Sequence, residues 1–401
     1  MSTADHPKTI LMILQSDYPP DIRLTKEIKA LTAAGHRVLL LCNNAKHLPQ
    51  FERVDGAHVY RLPAFTALSA SLQKLIRLPL FTSPLWYFKA AHLIKQHSVD
   101  VLHVHDLPLA PLAVALGKRF RKPVVYDMHE NYPAAMAEWS KRGGLKQKIL
   151  RNPKLAELLN NYVLQRAAKI IVVVEEQRDN LLQQGLPSAS VHVVNNTVDM
   201  DAFLSFEIKP EIVRTFENNF TILYIGSFST ERGLETAIAA MQRIQPEIPS
   251  AQLLLVGDGK NTHDLKQLAL TLGVQDQVTF VGWVPFDDVR SYMSAADVCI
   301  IPQPSNPAND TTQPHKLFQY MLMEKAVLTS DAKPLKRIVQ ECQSGESFKS
   351  EDPADFARAV VTLHSSSINF GENGKRAVEG KYNWRTTSQE LLRLYSELTT
   401  D

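Results

Sequence analysis

The sequence predicts an α/β protein made of two successive doubly wound parallel sheets, and three observations lead there. Short apolar runs alternate with helical patterns along the whole chain, which is how strands covered by helices on both faces read. The rhythm pauses at a polar stretch near residues 195–219 and then restarts. At 401 residues the chain also has the length of two domains of roughly 200 residues each.

Taken in order, strands are expected at Ile10–Gln15, Val38–Asn43, Val101–His105, Val124–Met128 and Ile170–Val174. Helical patterns separate them near Leu24–Ala34, Trp86–His97, Pro111–Phe120 and Lys154–Ala168. The second half repeats the scheme, with strands at Thr221–Ile225, Gln252–Val256, Val278–Val281, Val298–Ile301 and Ala326–Ser330. The expected domains are 1–198 and 199–383, with a last helix in 384–401 returning to pack on the first. In such sheets ligands bind beyond the carboxyl ends of the strands, so the residues that follow each strand are the ones to search.

Composition narrows the class. Apolar residues at 44% and charged residues at 21% describe a globular protein. No basic stretch leads into an apolar run and cleavage site at the N-terminus, and no apolar run has the length of a membrane span, so a cytoplasmic protein is expected. Cys42, Cys299 and Cys342 are far apart and lack metal spacing, as reduced core thiols do. The net charge of +2 hides an asymmetry: residues 1–200 carry 25 basic and 16 acidic side chains, a net of +9, and residues 201–401 carry 19 and 26, a net of −7. A basic first half suits an anionic surface, whereas an acidic second half must hold any phosphate through a local site.

The local site is expected in TTQPHKLFQYMLMEKAVLTSD, Thr311 to Asp331. Thr312 is expected to cap a helix with Pro314 in its first turn, His315 and Lys316 bring positive character, and Gln319 lies three residues further on the same face. An ordinary amphipathic helix burying Leu317, Tyr320 and Met321 is the competing reading. After Thr221–Ile225 comes GSFSTERGLETA, where Gly226 permits close approach of a ligand and Arg232 offers a fork for phosphate. GDGK at Gly257–Lys260 is neither a dinucleotide fingerprint nor a P-loop, which argues against a dehydrogenase and a P-loop kinase. GWVP at Gly282–Pro285 places the backbone around Val284 where a nucleobase edge could bond.

In the first half, HVHDLP and YDMHENYP place His105, Asp106, His129 and Glu130 beyond two strands, and SDYPPDIRLTKE adds Asp21 and Arg23. These are expected on the acceptor side, as acid/base or hydrogen-bonding groups; metal ligation is the least favoured reading because the pairs lack compact spacing. For Asp21 and Arg23 a structural ion pair competes with a ligand contact.

These pieces together resemble the retaining glycosyltransferases of the GT-B fold, family 4 in particular, over most of the chain. The order VGDGK, VTFVGWVPFDDVRSYMSAADVCIIPQP and PHKLFQYMLMEKAVLTSD over Val256–Asp331 carries the likeness, with GHRVLLLCNN and VVNNTVDMDAF upstream. The resemblance implies two Rossmann-like domains facing across a cleft, a nucleotide-sugar donor held by the second, an acceptor held by the first, and transfer of a hexosyl-type sugar with retention and without an obligatory metal or cofactor. It places Gly226 and Arg232 at the donor diphosphate and His129 at the transferred sugar. The family's glutamate pair falls on Thr311 and Gln319, neither acidic, and its glycine–arginine pair on Gly226 and Ser227. A subset of the family starts this helix as Pro314–His315–Lys316 does, which implies that Lys316 replaces the lost arginine. The donor is expected to be UDP- or GDP-linked. A sugar-nucleotide epimerase and a catalytically silent sugar-nucleotide binder are the alternatives.

Two basic segments, KRGGLKQKILRNPK at Lys141–Lys154 and KRFRK at Lys118–Lys122, with the aromatic PLFTSPLWYF at Pro79–Phe88, suggest peripheral binding to an anionic leaflet and a lipid-linked or envelope acceptor. They lack a nucleic-acid motif, so no nucleic acid is expected as partner.

Overall fold

The computed structural model describes residues 7–63, 84–141 and 152–398. Most of the basic segment 141–154 and the start of the aromatic segment 79–88 lie outside them. The chain divides into two compact units, Met1–Asn195 with Thr387–Asp401, and Asn196–Thr386.

The first unit holds an eight-stranded sheet of β1 (Thr9–Asp17), β2 (Arg37–Asn43), β3 (Phe51–Val54), β4 (Ala57–Arg61), β5 (Val101–His105), β6 (Val124–Met128), β7 (Lys169–Val172) and β8 (Val191–Val193), in the order β3-β4-β2-β1-β5-β6-β7-β8. Among these described strands only β3 and β4 pair antiparallel. Burial on both faces explains the unbroken apolar runs: Ile10 to Ile13 are wholly enclosed. Asp21 caps the first helix, Ile22–Ala33, accepting from the Leu24 amide at 2.9 Å. The last helix, Trp384–Ser396, carries Tyr395, whose hydroxyl meets His103 Nδ1 at 2.7 Å, and Glu390, which meets His192 Nδ1 at 2.7 Å.

The second unit holds β9 (Phe220–Ile225), β10 (Ala251–Val256), β11 (Val278–Gly282), β12 (Val298–Ile301), β13 (Ala326–Ser330) and β14 (Gly345–Phe348), in the order β11-β10-β9-β12-β13-β14. All of its neighbouring strands run parallel. The sequence reading missed β3, β4, β8 and β14, which are three to five residues long and polar or alternating. Each sheet has one switch point, between β1 and β5 in the first and between β9 and β12 in the second. In sheets of this kind ligands bind at such switch points, beyond the strands' carboxyl ends.

Candidate active site

The switch point of the second sheet gathers two cations. Gly226 directly follows β9 with φ +143°, and its amide donates to the Val256 carbonyl at 2.9 Å. A Cβ added there would stand 2.6 Å from Lys316 Nζ and would push that ammonium aside, and the positive φ itself favours glycine. Lys316 opens the short helix Lys316–Leu322 and donates from Nζ to the Ile225 carbonyl at 2.5 Å, with Nζ 4.2 Å from the centre of the Tyr224 ring. One turn later the Tyr320 hydroxyl accepts the Ile225 amide at 3.2 Å. The helix thus holds both polar groups of the last residue of β9. Arg232 ends the turn Thr230–Arg232, and its Nε is buried without a hydrogen-bond partner. Burial, and then the charge of Arg232, hold the Lys316 ammonium well below the usual lysine range. Two half-buried cations within electrostatic reach of each other are suited to an anion with more than one charge.

The other donor-side candidates surround this pair in sequence. Ser227 is exposed, with its carbonyl taking the Tyr224 hydroxyl at 3.0 Å. Val284 is half-buried beyond β11, and Gln319 is buried. One expectation is corrected: Thr312 does not cap the helix. His315 stands at the cap position with no side-chain cap bond, and Thr312 is extended at φ −145°. The turn is closed instead by the Pro314 carbonyl, which accepts the Leu317 amide at 3.2 Å. Sequence reasoning passed over Gln313, a buried side chain whose two amide atoms have no hydrogen-bond partner.

In the first unit, β5 and β6 build a histidine cluster. Their parallel register sets His105 beside Asp127, and alternation puts His103 on the same face as His105. Those imidazoles stack at 4.5 Å between ring centres. Asp127 is fully buried and sits under His129, Oδ2 to Nε2 at 3.1 Å. Arg23 donates from Nη2 to Asp127 Oδ1 at 3.1 Å and from Nη1 to the Val194 carbonyl at 3.1 Å, and its Nε stands 3.0 Å from Glu27 Oε1. Asp106, at φ +61°, accepts the His129 amide at 3.1 Å. Glu130 is exposed, and Asp21 is tied to its helix cap.

Arg23 and His105 are therefore corrected from acceptor contacts to buried supports, with 6% and 1% exposure. Glu27, His103 and Asp127 were not foreseen; the signal for His103 and Asp127 was the two-residue alternation in HVH and DMH, legible only once the strand register is known, and mid-helix Glu27 joins them only through packing. Glu27, His103, His105 and Asp127 place ligand atoms within 4.8 Å of one another, a spacing a metal ion could bridge. The Arg23 guanidinium already occupies the cation's place between the two carboxylates, so they are not read as ligands.

Burial favours the neutral form of His129, but Asp127 and then Asp106 outweigh it and raise its pKa to about 9. Burial also pushes Glu27 up to about 8, with Asp127 adding to it and Arg23 opposing, and Asp106 up to about 6. His105 is pressed down to about 3 by burial and then by His103. Asp127 resists burial and stays well below the carboxylate range, through Arg23 and then His129.

Comparisons with known proteins agree with this layout. A family model described as a glycosyl transferase 4-like domain matches residues 22–197, and one described as glycosyl transferases group 1 matches residues 219–366. The uncharacterized glycosyltransferase MJ1607 of Methanocaldococcus jannaschii is 26% identical over 94% of this chain and 96% of its own length. The phosphatidyl-myo-inositol mannosyltransferase of Mycolicibacterium smegmatis is 21% identical over 92% and 88%. Among solved structures, Anabaena Alr3699/HepE in complex with UDP-glucose superposes with a TM-score of 0.70 at 17% identity, covering 97% of this chain and 100% of that one. Among the described residues no helix is long and apolar enough to cross a membrane. The chain belongs to the family 4-like glycosyltransferases of the GT-B fold, enzymes that transfer a sugar from a nucleotide-sugar donor.

Proposed function

We propose that the enzyme moves a hexosyl-type sugar from a UDP- or GDP-linked donor, with retention, to a lipid-linked or envelope glycan acceptor. The observation that carries the donor half of this reading is the convergence of Lys316, Arg232 and Gly226 at the end of β9. As the bond between the sugar's anomeric carbon and the β-phosphate oxygen breaks, negative charge grows on the diphosphate. Lys316 and Arg232 meet that charge with preorganised cations, which lowers the barrier without metal or cofactor. In the same reading the backbone at Gly226 and Ser227 lies along the phosphates and Thr312 and His315 contact the donor. Gln319 bonds the ribose, the backbone at Val284 bonds the base, and His129 serves the transferred sugar.

Support for the acceptor is of two kinds. One relative is named for a phosphatidyl-inositol substrate, and the first half of this chain is strongly basic. A protein held peripherally at the anionic inner face of a membrane, its cytoplasmic side, fits both. The deciding experiment is a thermal-shift series with UDP-, GDP- and ADP-linked sugars, followed by NMR of the product's anomeric proton. A shift with a UDP- or GDP-sugar and an unchanged anomeric configuration are expected. Inversion would overturn retention, and conversion of the donor without any acceptor would make the protein an epimerase instead.

A further inference from the structure

The histidine cluster carries a second inference, which rests on the reading of His129 given above. We propose that Asp127 is a positioning residue that fixes the ring of His129 and keeps it in the doubly protonated form, with Arg23 as the buried charge that lets Asp127 stay ionised.

The geometry leaves Asp127 few other roles. Its side chain is sealed from solvent, whereas that of His129 is 18% exposed, so the carboxylate reaches any sugar only through the imidazole. Asp127 Oδ2 lies 3.1 Å from His129 Nε2 and 3.5 Å from both His105 Nδ1 and His103 Nε2. Three imidazoles and a guanidinium thus converge on one carboxylate. An ionised carboxylate only accepts hydrogen bonds, which suits it to the two groups that donate to it, His129 and Arg23. Arg23 Nη2 contacts both of its oxygens, at 3.1 and 3.3 Å, and Arg23 itself is anchored to the Val194 carbonyl. The ring is also held from its other side, because Asp106 accepts the His129 amide and sets Oδ2 3.8 Å from Nδ1.

The charges that face His129 come from three elements. Asp127 lies on β6, the strand His129 directly follows, Asp106 follows β5, and Arg23 with Glu27 lies on the helix Ile22–Ala33; exposed Glu130 is its neighbour in the chain. His105 Nδ1 approaches His129 Nε2 at 3.2 Å and, being deeply buried, takes the neutral form and accepts that proton's bond. Arg23 and Asp127 cancel, Glu27 is pushed by burial toward its neutral acid, and the positive charge of the cluster is left on His129, its half-buried member. An imidazolium there offers a hydrogen bond to a sugar oxygen from a ring that cannot rotate.

The test uses the full-length protein with isotope-labelled histidine, and His129→Gln to assign the resonance. His129 is expected to titrate above pH 8 and to lose at least tenfold in proton affinity in Asp127→Asn. In that variant the alkaline limb of kcat/KM should move down with the titration, while the donor KM stays within twofold. Titration of His129 at or below the ordinary value of about 6.5 overturns the proposal, whether or not Asp127→Asn folds. So does an unchanged His129 titration in a folded Asp127→Asn. If His129 titrates high and shifts in the variant while His129→Gln keeps full turnover, the hold of Asp127 stands and the catalytic assignment of His129 falls.

Discussion

The Lys316 ammonium rests on one backbone carbonyl and one ring face. Burial with Arg232 keeps it below its ordinary proton affinity. A diphosphate acts against both influences, so donor binding should raise the lysine's proton affinity. Calorimetry in two buffers of different ionisation enthalpy, run as a pH series, reads this directly: within the lysine's titration range the apparent binding heats should differ for the wild type and coincide for Lys316→Ala. The same substitution removes one preorganised donor and should cost about a hundredfold in turnover, on the order of 3 kcal/mol, with the fold intact. Wild-type turnover in that variant would remove Lys316 from the mechanism. Lys316, Arg232 and Gly226 were legible in the sequence because each stands where a strand ends or a helix starts. Asp127 and Glu27 were not, because a strand residue and a mid-helix residue become partners only through packing and register.

At the scale of elements, the seven-residue helix Lys316–Leu322 is too short to hold itself and depends on its anchors. Tyr320 is buried, and its hydroxyl is the acceptor for the Ile225 amide. Tyr320→Phe leaves that amide unpartnered beside the lysine site. A loss of about 1–3 kcal/mol in urea unfolding is expected, together with a higher donor KM, because the helix that carries Lys316 loosens. An unchanged midpoint and KM would show that the amide finds another acceptor. The strands were read well where burial on both faces makes a continuous apolar run, as in β5, β6, β12 and β13, whose ends were foreseen to the residue. The hairpin of β3 and β4 was lost because FERV and AHVYR alternate polar with apolar around a tight turn. Thr312 misled through a sound local rule: a threonine ahead of a helix is a good cap, but the proline turn at 314–317 starts this one later.

For the whole molecule, the two units keep buried titratable groups of opposite kinds, and pH should separate them. In the first, folded His129 keeps a proton that the unfolded chain gives up at about pH 6.5, so the stability it adds is complete below that pH and is lost as pH rises through about 9. Glu27 acts in the same sense, complete below about 4.5 and lost through about 8. In the second unit Lys316 is depressed, so the unfolded chain binds the extra proton and stability rises with pH toward the ordinary lysine range. Buried Cys42 and Cys299 and half-buried Cys342 are all raised and begin to oppose folding only as free thiols ionise, near pH 8.5. Between pH 7 and pH 8 their effect is small. Calorimetric unfolding across that interval should therefore lower the transition of the unit that holds His129 relative to that of the unit that holds Lys316, with a saturating UDP-sugar identifying the second by its shift. His129→Gln should weaken the first trend, leaving the part that Glu27 carries, and Lys316→Met should remove any rise in the second. Two transitions that move together, or a single one that ignores both substitutions, would mean that these buried groups are hydrated enough in the folded protein to titrate as they do in water.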